Sequence, residues 1–168
     1  MKTKTNSASL KSIFLFLIIP LFFFQCTTTQ KGNRIGSTEI KNFVDSSKFI
    51  FVAERVNPLR GGSRHLTSRY DVVVKKDTIN SNLPFFGRAF QAPFDPTKGG
   101  IQFISHDFTY NITSKKEEEW SILIKLKDVN DVQQLIFNIF NNGTATLNVV
   151  NMHRDPISFY GYIEKIKK

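Results

Sequence analysis

The chain has 168 residues, of which 40% are hydrophobic, a formal net charge of +9 and a single cysteine, Cys26. This length and apolar content suffice for one domain with a sizeable core, and a single cysteine excludes an intramolecular disulfide. The basic residues are spread along the sequence without a nucleic-acid-binding motif. We therefore expect no nucleic-acid partner, and we assign the charge to attraction towards an anionic membrane surface.

The first 25 residues have the pattern of a secretory signal peptide. Lys2, Lys4 and Lys11 form a basic leader without an acidic residue, and residues 13–24 are the apolar run IFLFLIIPLFFF. A helix that spans a bilayer needs about 20 apolar residues, so this run fits the hydrophobic region of a cleaved signal. Removal of residues 1–25 takes these three lysines away and lowers the net charge from +9 to +6.

Cys26 lies directly behind this apolar run. The segment LFFFQC followed by TTTQKGN resembles a bacterial lipoprotein signal, in which the cysteine is diacylated and becomes the first mature residue. Gln25 departs from that pattern, which usually has a small residue there, and ordinary cleavage nearby is the alternative. Two acyl chains anchor a protein stably. We therefore expect export across the inner membrane and a lipid anchor in the periplasm or at the outer membrane, with polar residues 26–36 as a flexible tether.

One short helix is predicted over residues 38–48, TEIKNFVDSSK, with Ser37 or Thr38 as its N-cap. Its apolar residues recur at helical spacing, at Ile40, Phe43 and Val44. A single helix of this length cannot supply the crossovers that a parallel sheet needs.

The rest of the chain reads as strands and turns. Alternating apolar and polar residues separated by turn residues predict nine strands, at 49–56, 68–76, 78–85, 100–105, 108–114, 120–127, 133–140, 144–150 and 156–166. The strongest hairpin signal is Asn142-Gly143, which we expect to form a type I′ turn with positive φ at both residues.

Nine strands with mostly short connections predict an all-β domain over residues 37–168, with one short N-terminal helix. Consecutive strands would pair as an antiparallel meander. A twisted sheet of this size curls or splits into two layers, and closure removes its exposed edges. We therefore expect a barrel or a strongly curled sandwich, with the helix packed across one end or one face.

Several blocks of the sequence resemble one family, catalogued as domain of unknown function 4251. The resemblance covers about residues 38–164 and includes GGIQFIS, WSILIKL and NNGTATLNVVNMHRDPISFYGYI. Its most specific parts are LPFFGRA at 83–89 and the residues that follow the Asn-Gly hairpin, which are Arg154, Ile157, Ser158 and Gly161. Phe85 stands where a tyrosine is expected. The resemblance implies a small secreted or lipid-anchored protein of Gram-negative bacteria, and no activity comes with it.

The aromatic block at 83–90, LPFFGRAF, is a candidate functional site with two interpretations. As a structural corner, it would use Phe85, Phe86, Phe90 and also Phe94 to plug a barrel end. Gly87 would supply a positive φ, and Arg88 would lie over a ring or bond loop carbonyls. As a ligand mouth, the same rings would hold an apolar or sugar-like ligand and Arg88 an anionic group.

The segment NPLRGGSRHL at 57–66 is a weaker candidate. Two adjacent glycines beside Arg60, Arg64 and His65 could form a nest for phosphate or carboxylate. The segment lacks the helix start and the Gly-Lys-Ser/Thr ending of a P-loop, so an ordinary hairpin loop is the alternative.

No arrangement of residues points to catalysis or to a metal. His65, His106 and His153 have no histidine or cysteine partner at metal-ligand spacing. A Gly-x-Ser-x-Gly elbow is absent from the sequence, and most acidic residues fall in predicted turns, with Glu54 as the exception within a strand. We expect no enzyme activity, no metal and no cofactor.

Two functional hypotheses remain from the sequence. The first is a non-catalytic binding or interaction module of the cell envelope, held to the membrane by its N-terminal lipid, whose partner is an unknown envelope component or small ligand. The second is a β-barrel carrier of a small apolar or anionic ligand. The two differ in the barrel interior, because a carrier needs an internal pocket of several hundred Å³.

Overall fold

The computed structural model describes residues 36–91, 99–116 and 118–167, with the backbone alone at 113–116. These residues belong to one compact unit, Arg34–Lys168. The predicted signal peptide, the lipid attachment at Cys26 and the plug residue Phe94 lie outside the described residues. Within the described part of the chain, no helix is long and apolar enough to cross a membrane.

The one helix, α1 (Ser37–Asp45), begins a residue earlier than the sequence predicts. Its N-cap is Gly36, whose carbonyl accepts the amides of Glu39 and Ile40 at 2.9 and 3.1 Å. The prediction of Ser37 or Thr38 as the N-cap is therefore wrong, because both residues already have helical backbone geometry and no side chain caps this end.

The buried face of α1 is the apolar stripe that the sequence predicts, Ile40, Phe43 and Val44. Tyr110 of the sheet fixes the other end of the helix by donating a hydrogen bond of 2.9 Å from its hydroxyl to the carbonyl of Val44. Burial raises the pKa of the Tyr110 phenol, so this donor stays protonated at neutral pH.

Nine strands follow the helix, as the sequence predicts. They are β1 (Phe49–Pro58), β2 (Arg64–Val74), β3 (Ile79–Leu83), β4 (Ile101–Ser105), β5 (Phe108–Lys116), β6 (Glu119–Leu126), β7 (Val132–Phe140), β8 (Thr144–Asn151) and β9 (Ile157–Glu164). All pair antiparallel in one sheet, in the order β4-β3-β2-β1-β9-β8-β7-β6-β5.

The sheet is a meander that nearly closes into a barrel. Eight antiparallel pairings separate β4 from β5, so the two edge strands run in the same direction. Only residues 106 and 107 lie between them. β4 and β5 therefore form one bent strand, whose first half pairs with β3 and whose second half pairs with β6. This arrangement confirms the predicted all-β meander and its closure.

Asp128 holds the bend between β4 and β5 in place. Its carboxylate accepts hydrogen bonds from the Ser105 hydroxyl at 2.5 Å and from the amides of His106 and Asp107 at 2.7 and 3.1 Å. These donors, above all Ser105, lower the pKa of Asp128 from 3.8 to about 2. One side chain in the β6–β7 turn thus satisfies two amides that the bend removes from the sheet.

Aromatic rings fill the barrel axis. Phe49, Phe51, Phe137 and Phe159 are fully buried. The ring of Phe137 lies edge-on to those of Phe49 and Phe51, with centroid distances of 5.6 and 5.7 Å, which is a favourable aromatic geometry.

The β7–β8 hairpin forms where Asn142-Gly143 predicts it, but with a different turn. The loop has three residues, 141–143, and positive φ occurs only at Gly143, at 83°. The Gly143 amide donates to the carbonyl of Phe140, and the Asn142 side chain accepts the amide of Thr144, both at 2.9 Å. The type I′ prediction is therefore wrong, because the longer loop needs left-handed backbone at one residue.

Candidate functional site

A large irregular β-bulge interrupts the pairing of β1 with β2. Ala53 pairs with Tyr70 and Arg55 pairs with His65, so residues 66–69 of β2 stand opposite a single residue of β1, Glu54. The pairing of β1 with β9 also shifts at Glu54. Bulges of this kind bend a strand and re-aim its side chains. Here the bulge lifts part of β2 away from its neighbour.

An open groove of about 450 Å³ lies beside this bulge, on the outside of the barrel. We call it the bulge groove. Its volume is within the range of small-ligand sites. β1, β2 and β9 contribute its polar side chains, which are Glu54, Arg55, His65, Ser68, Arg69, Tyr160 and Tyr162.

Arg69, at the edge of the groove, is paired with two carboxylates. Arg69 contacts Asp71 at 3.1 Å and Glu164 at 2.9 Å. The hydrogen bond from Arg69 holds the pKa of Glu164 below its ordinary value. Burial raises the pKa of the neighbouring Tyr162, so its phenol remains neutral and able to donate. Arg69 is therefore committed to holding β2 against β9.

Arg55 differs from Arg69 because its contact is with a histidine and not with a carboxylate. Its side chain is exposed, and its Nη2 lies 3.4 Å from Nε2 of His65. Among the described residues, no carboxylate lies within ion-pair distance of its guanidinium. A guanidinium can only donate hydrogen bonds. The pair Arg55–His65 therefore presents donors to the groove and is suited to an oxygen-rich, negatively charged group.

A row of uncharged polar side chains continues from Arg55 across the outside of the barrel. Arg55 faces Tyr160 on β9, Tyr160 faces Thr146 on β8, Thr146 faces Asn138 on β7, and Asn138 faces Ser121 on β6. Adjacent strands are about 4.8 Å apart, so this polar row extends for about 19 Å. Hydroxyl, amide and aromatic groups alternate along it.

The predicted aromatic site at 83–90 divides into an inner and an outer part. Phe85 and Phe86 are half-buried and pack against the core, and Arg64 lies over the Phe86 ring at 5.1 Å. Phe90 is 70% exposed, so the prediction that it plugs the barrel end is wrong. The backbone of Phe90 is nevertheless joined to the β8–β9 connection, because its amide donates a hydrogen bond of 2.7 Å to the carbonyl of His153.

Arg154 performs the contacts that the sequence assigns to Arg88. Its guanidinium is buried, donates to the carbonyls of Gly99 and Gly100 at 3.2 Å each, and contacts Asp131 at 3.0 Å. The side chain of Arg88 is exposed, and its backbone joins the same corner by bonding Asp155.

Gly87 lies in this corner for a reason other than the predicted one. Its φ is not positive, so the expectation of left-handed backbone is wrong. A Cβ at this position would instead lie 2.8 Å from Cζ of Phe85 and 3.4 Å from Cβ of Asp155. The corner needs a glycine here because the Phe85 ring fills the space.

The remaining sequence candidates do not converge. His65 lies in the bulge groove, His106 lies at the β4–β5 bend, and the exposed His153 is in the β8–β9 connection, where its carbonyl accepts the amide of Phe90. Glu54 is exposed at the bulge. Within residues 36–91, 99–116 and 118–167, no three histidine, cysteine or acidic side chains come together in a way that could hold a metal.

The sequence did not indicate the bulge groove, and its tyrosines and Arg69 were not candidates. One signal was present. Gly161 interrupts the apolar side of the last strand, and a glycine inside a strand often marks a bulge or a close approach of two backbones. Gly161 faces Ala53 next to the bulge, and a Cβ there would overlap the carbonyl oxygen of Val52.

Comparison with known proteins shows which family this chain belongs to and which solved fold it is similar to. A family model described as "Domain of unknown function (DUF4251)" matches residues 34–163. The fold is similar to a crystal structure of a DUF4251 family protein from Bacteroides eggerthii DSM 20697, with 12% identity, a TM-score of 0.52 and coverage of 77% of this chain and 87% of that chain. At that identity the likeness concerns the fold alone. A search of curated proteins found no match. Because the family model matches most of the sequence, the chain belongs to the DUF4251 family.

Proposed function

We propose that this protein is a non-catalytic binding module of the cell envelope, anchored through a lipid on Cys26, and that its bulge groove holds an acidic saccharide. The observation that carries the proposal is the placement of Arg55. It is an exposed guanidinium in a groove of about 450 Å³ beside two tyrosines, and although Glu54 lines the same groove, no carboxylate of the described residues forms an ion pair with Arg55.

The barrel interior favours this proposal over an internal carrier. Four fully buried phenylalanines occupy the axis, and two of them pack edge-on against a third. A carrier needs free volume at that position. The bulge groove and a second pocket, lined by Lys48 and Lys75 among others, are both open to solvent at the surface.

The chemistry of the groove and of the polar row fits a sugar. The rings of Tyr160 and Tyr162 offer apolar faces together with hydroxyl groups. Thr146, Asn138 and Ser121 supply further hydroxyl and amide groups along the row. Arg55 adds the charge that selects a carboxylate-bearing saccharide over a neutral one.

Calorimetric titration with a tetrasaccharide of alternating glucuronate and N-acetylglucosamine tests this site. We expect saturable binding, and no binding of the same tetrasaccharide after its carboxyl groups are reduced to alcohols. Arg55→Gln should weaken binding at least about tenfold, since a charge-assisted hydrogen bond contributes about 1.5–3 kcal/mol. Arg60→Gln is the matched control, because Arg60 is exposed outside the groove. Equal binding of the acidic and the reduced sugar would contradict the proposed selectivity.

The anchoring half of the proposal has a separate test. Cys26→Ala should release the protein from the membrane fraction or leave the signal peptide uncleaved. Mass spectrometry of the wild-type N-terminus should report the acyl chains. A Cys26→Ala variant that fractionates and migrates like the wild type would refute lipid attachment at this residue.

A further inference from the structure

Lysines are concentrated at one end of the barrel. Lys48 precedes β1, Lys75 and Lys76 form the β2–β3 turn, and Lys167 follows β9. These four side chains are exposed and line one open pocket of about 600 Å³, together with Asp77 and the half-buried Ile166. We call these four residues the lysine pole.

The sheet topology explains why residues so distant in sequence meet. β1 begins where β2 ends, since Phe49 pairs with Val74, and β9 ends alongside the same stretch of β1, since Ile50 pairs with Glu164. The start of one strand, a turn and the end of the chain therefore converge on a single end of the barrel.

The chain also enters the domain at this end. Lys165, next to the pole, lies 4.0 Å from Glu39 in the first turn of α1. The ten residues 27–36 separate Cys26 from the helix, and a fully extended stretch of that length spans at most about 35 Å. A lipid at Cys26 would keep the lysine pole within about that distance of the bilayer.

Positive charge dominates the pole. Five lysines, counting Lys165, stand against three acidic side chains, Asp77, Glu39 and Glu164, and Glu164 is already paired with Arg69. Asp77 accepts a hydrogen bond from the hydroxyl of Thr78, and Glu39 already faces Lys165. The four pole lysines thus form a cationic surface suited to the phosphate groups of anionic lipids.

We propose that the lysine pole docks on the anionic headgroups of a phospholipid surface and orients the barrel on the membrane. The contact is electrostatic, and it does not depend on what occupies the bulge groove. Arg55 lies seven residues beyond Lys48 along β1, which corresponds to about 20 Å of strand. Docking through the pole therefore directs the bulge groove away from the lipid and towards solvent.

Vesicle co-sedimentation tests this contact with the chain from Thr27 onwards, which lacks the signal and the acylated cysteine. The nine described strands and the buried core belong to the compact unit Arg34–Lys168, which this chain retains in full. We expect binding to vesicles containing 30% phosphatidylglycerol, and none to pure phosphatidylcholine. Binding should fall steeply between 0.05 and 0.5 M salt, because the Debye length shrinks from above 10 Å to a few Å.

Substitutions test whether vesicle binding depends on the lysine pole itself or only on the net charge of the protein. Lys48→Gln, Lys75→Gln, Lys76→Gln and Lys167→Gln together should reduce the affinity at least about 100-fold, since each lysine near an anionic surface contributes about fivefold. The matched control is Arg60→Gln, Arg88→Gln, Lys125→Gln and Lys127→Gln, which makes the same change in net charge at exposed residues outside the pole. The control should bind within about threefold of the wild type.

A third variant controls for the possibility that the substitutions abolish binding by unfolding the domain. Replacing the four pole lysines by arginine keeps the charge and should preserve binding. Absence of wild-type binding to the anionic vesicles, or equal losses in the pole and control variants, would overturn the proposal. Neither result affects the groove, because the saccharide titration is carried out without lipid.

Discussion

The guanidinium of Arg154 lies over the ring of Phe85, with 5.1 Å between Cζ and the ring centroid. The same guanidinium bonds two backbone carbonyls and Asp131, so one buried arginine connects the aromatic corner to the β6–β7 turn. In this family member the ring beneath the arginine is a phenylalanine, and the contact uses its face and needs no hydroxyl.

Arg154→Leu should destabilise the domain by about 2–4 kcal/mol. The change removes the hydrogen bonds to the carbonyls of Gly99 and Gly100, the ion pair with Asp131 and the cation–π contact with Phe85, and hydrogen bonds from a charged donor contribute about 1.5–3 kcal/mol. Urea unfolding followed by circular dichroism measures the loss. Arg60→Leu, at an exposed position, should change the free energy of unfolding by less than about 0.5 kcal/mol. Equal stabilities of the two variants would show that Arg154 has no structural role.

Gly161→Ala should disrupt the junction of β1 with β9. The added methyl group would overlap the carbonyl oxygen of Val52, so the two strands would have to separate at the bulge. We expect a loss of more than about 3 kcal/mol or failure to fold, beyond the usual cost of overpacking. Gly62→Ala is the control, since nothing lies within 4 Å of a Cβ there. A normal melting temperature for Gly161→Ala would contradict the observed register.

Acid stability should depend on Asp128. Its folded pKa of about 2 is below its ordinary value of 3.8, so its carboxylate stabilises the fold above about pH 4, and this contribution is lost as the pH falls towards 2. Asp128→Asn should lower stability at neutral pH and flatten its decline between pH 4 and 2. Urea midpoints measured across that range report the change. An unchanged slope in Asp128→Asn would contradict the assignment.

Helix docking should be weakened by Tyr110→Phe. The substitution removes the hydroxyl that bonds the carbonyl of Val44 and leaves the ring in place. We expect a loss of about 0.5–1.5 kcal/mol and faster hydrogen exchange in α1. Tyr70→Phe provides the comparison, because the Tyr70 hydroxyl has no hydrogen bond to the described residues. If both variants unfold at the same urea concentration, the Tyr110 bond does not hold the helix.

The strand order was predictable because alternation and turns are local signals. Nine strands appear where apolar residues alternate, and the meander follows from short connections. The break between strands at 106–107 was predicted, but closure of the barrel there was not traceable to Asp128, which lies two strands further along the chain and has the sequence context of an ordinary turn acid. Its role is visible only when the edge strands meet.

The candidate site was predicted in part. The aromatic block was found, but its arginine was misassigned, since Arg88 is adjacent in sequence while Arg154 arrives from the β8–β9 connection through an isolated bridge between Ala89 and Arg154. The bulge groove escaped prediction for a similar reason. The register shift at Glu54 sets four residues of β2 against one residue of β1, and register cannot be read from one strand alone.

Because β1 pairs with β9, the sheet cannot be fully assembled until the last strand has been synthesised. Roughly 100 residues separate the two strands, so at ~5–20 residues per second of synthesis β1 waits about 5–20 s for its partner. Until the last strand arrives, β1 and β8 each present an open edge, and open edges are templates for pairing between chains. A premature stop before Ile157 would therefore convert a nearly closed barrel into a chain prone to aggregate.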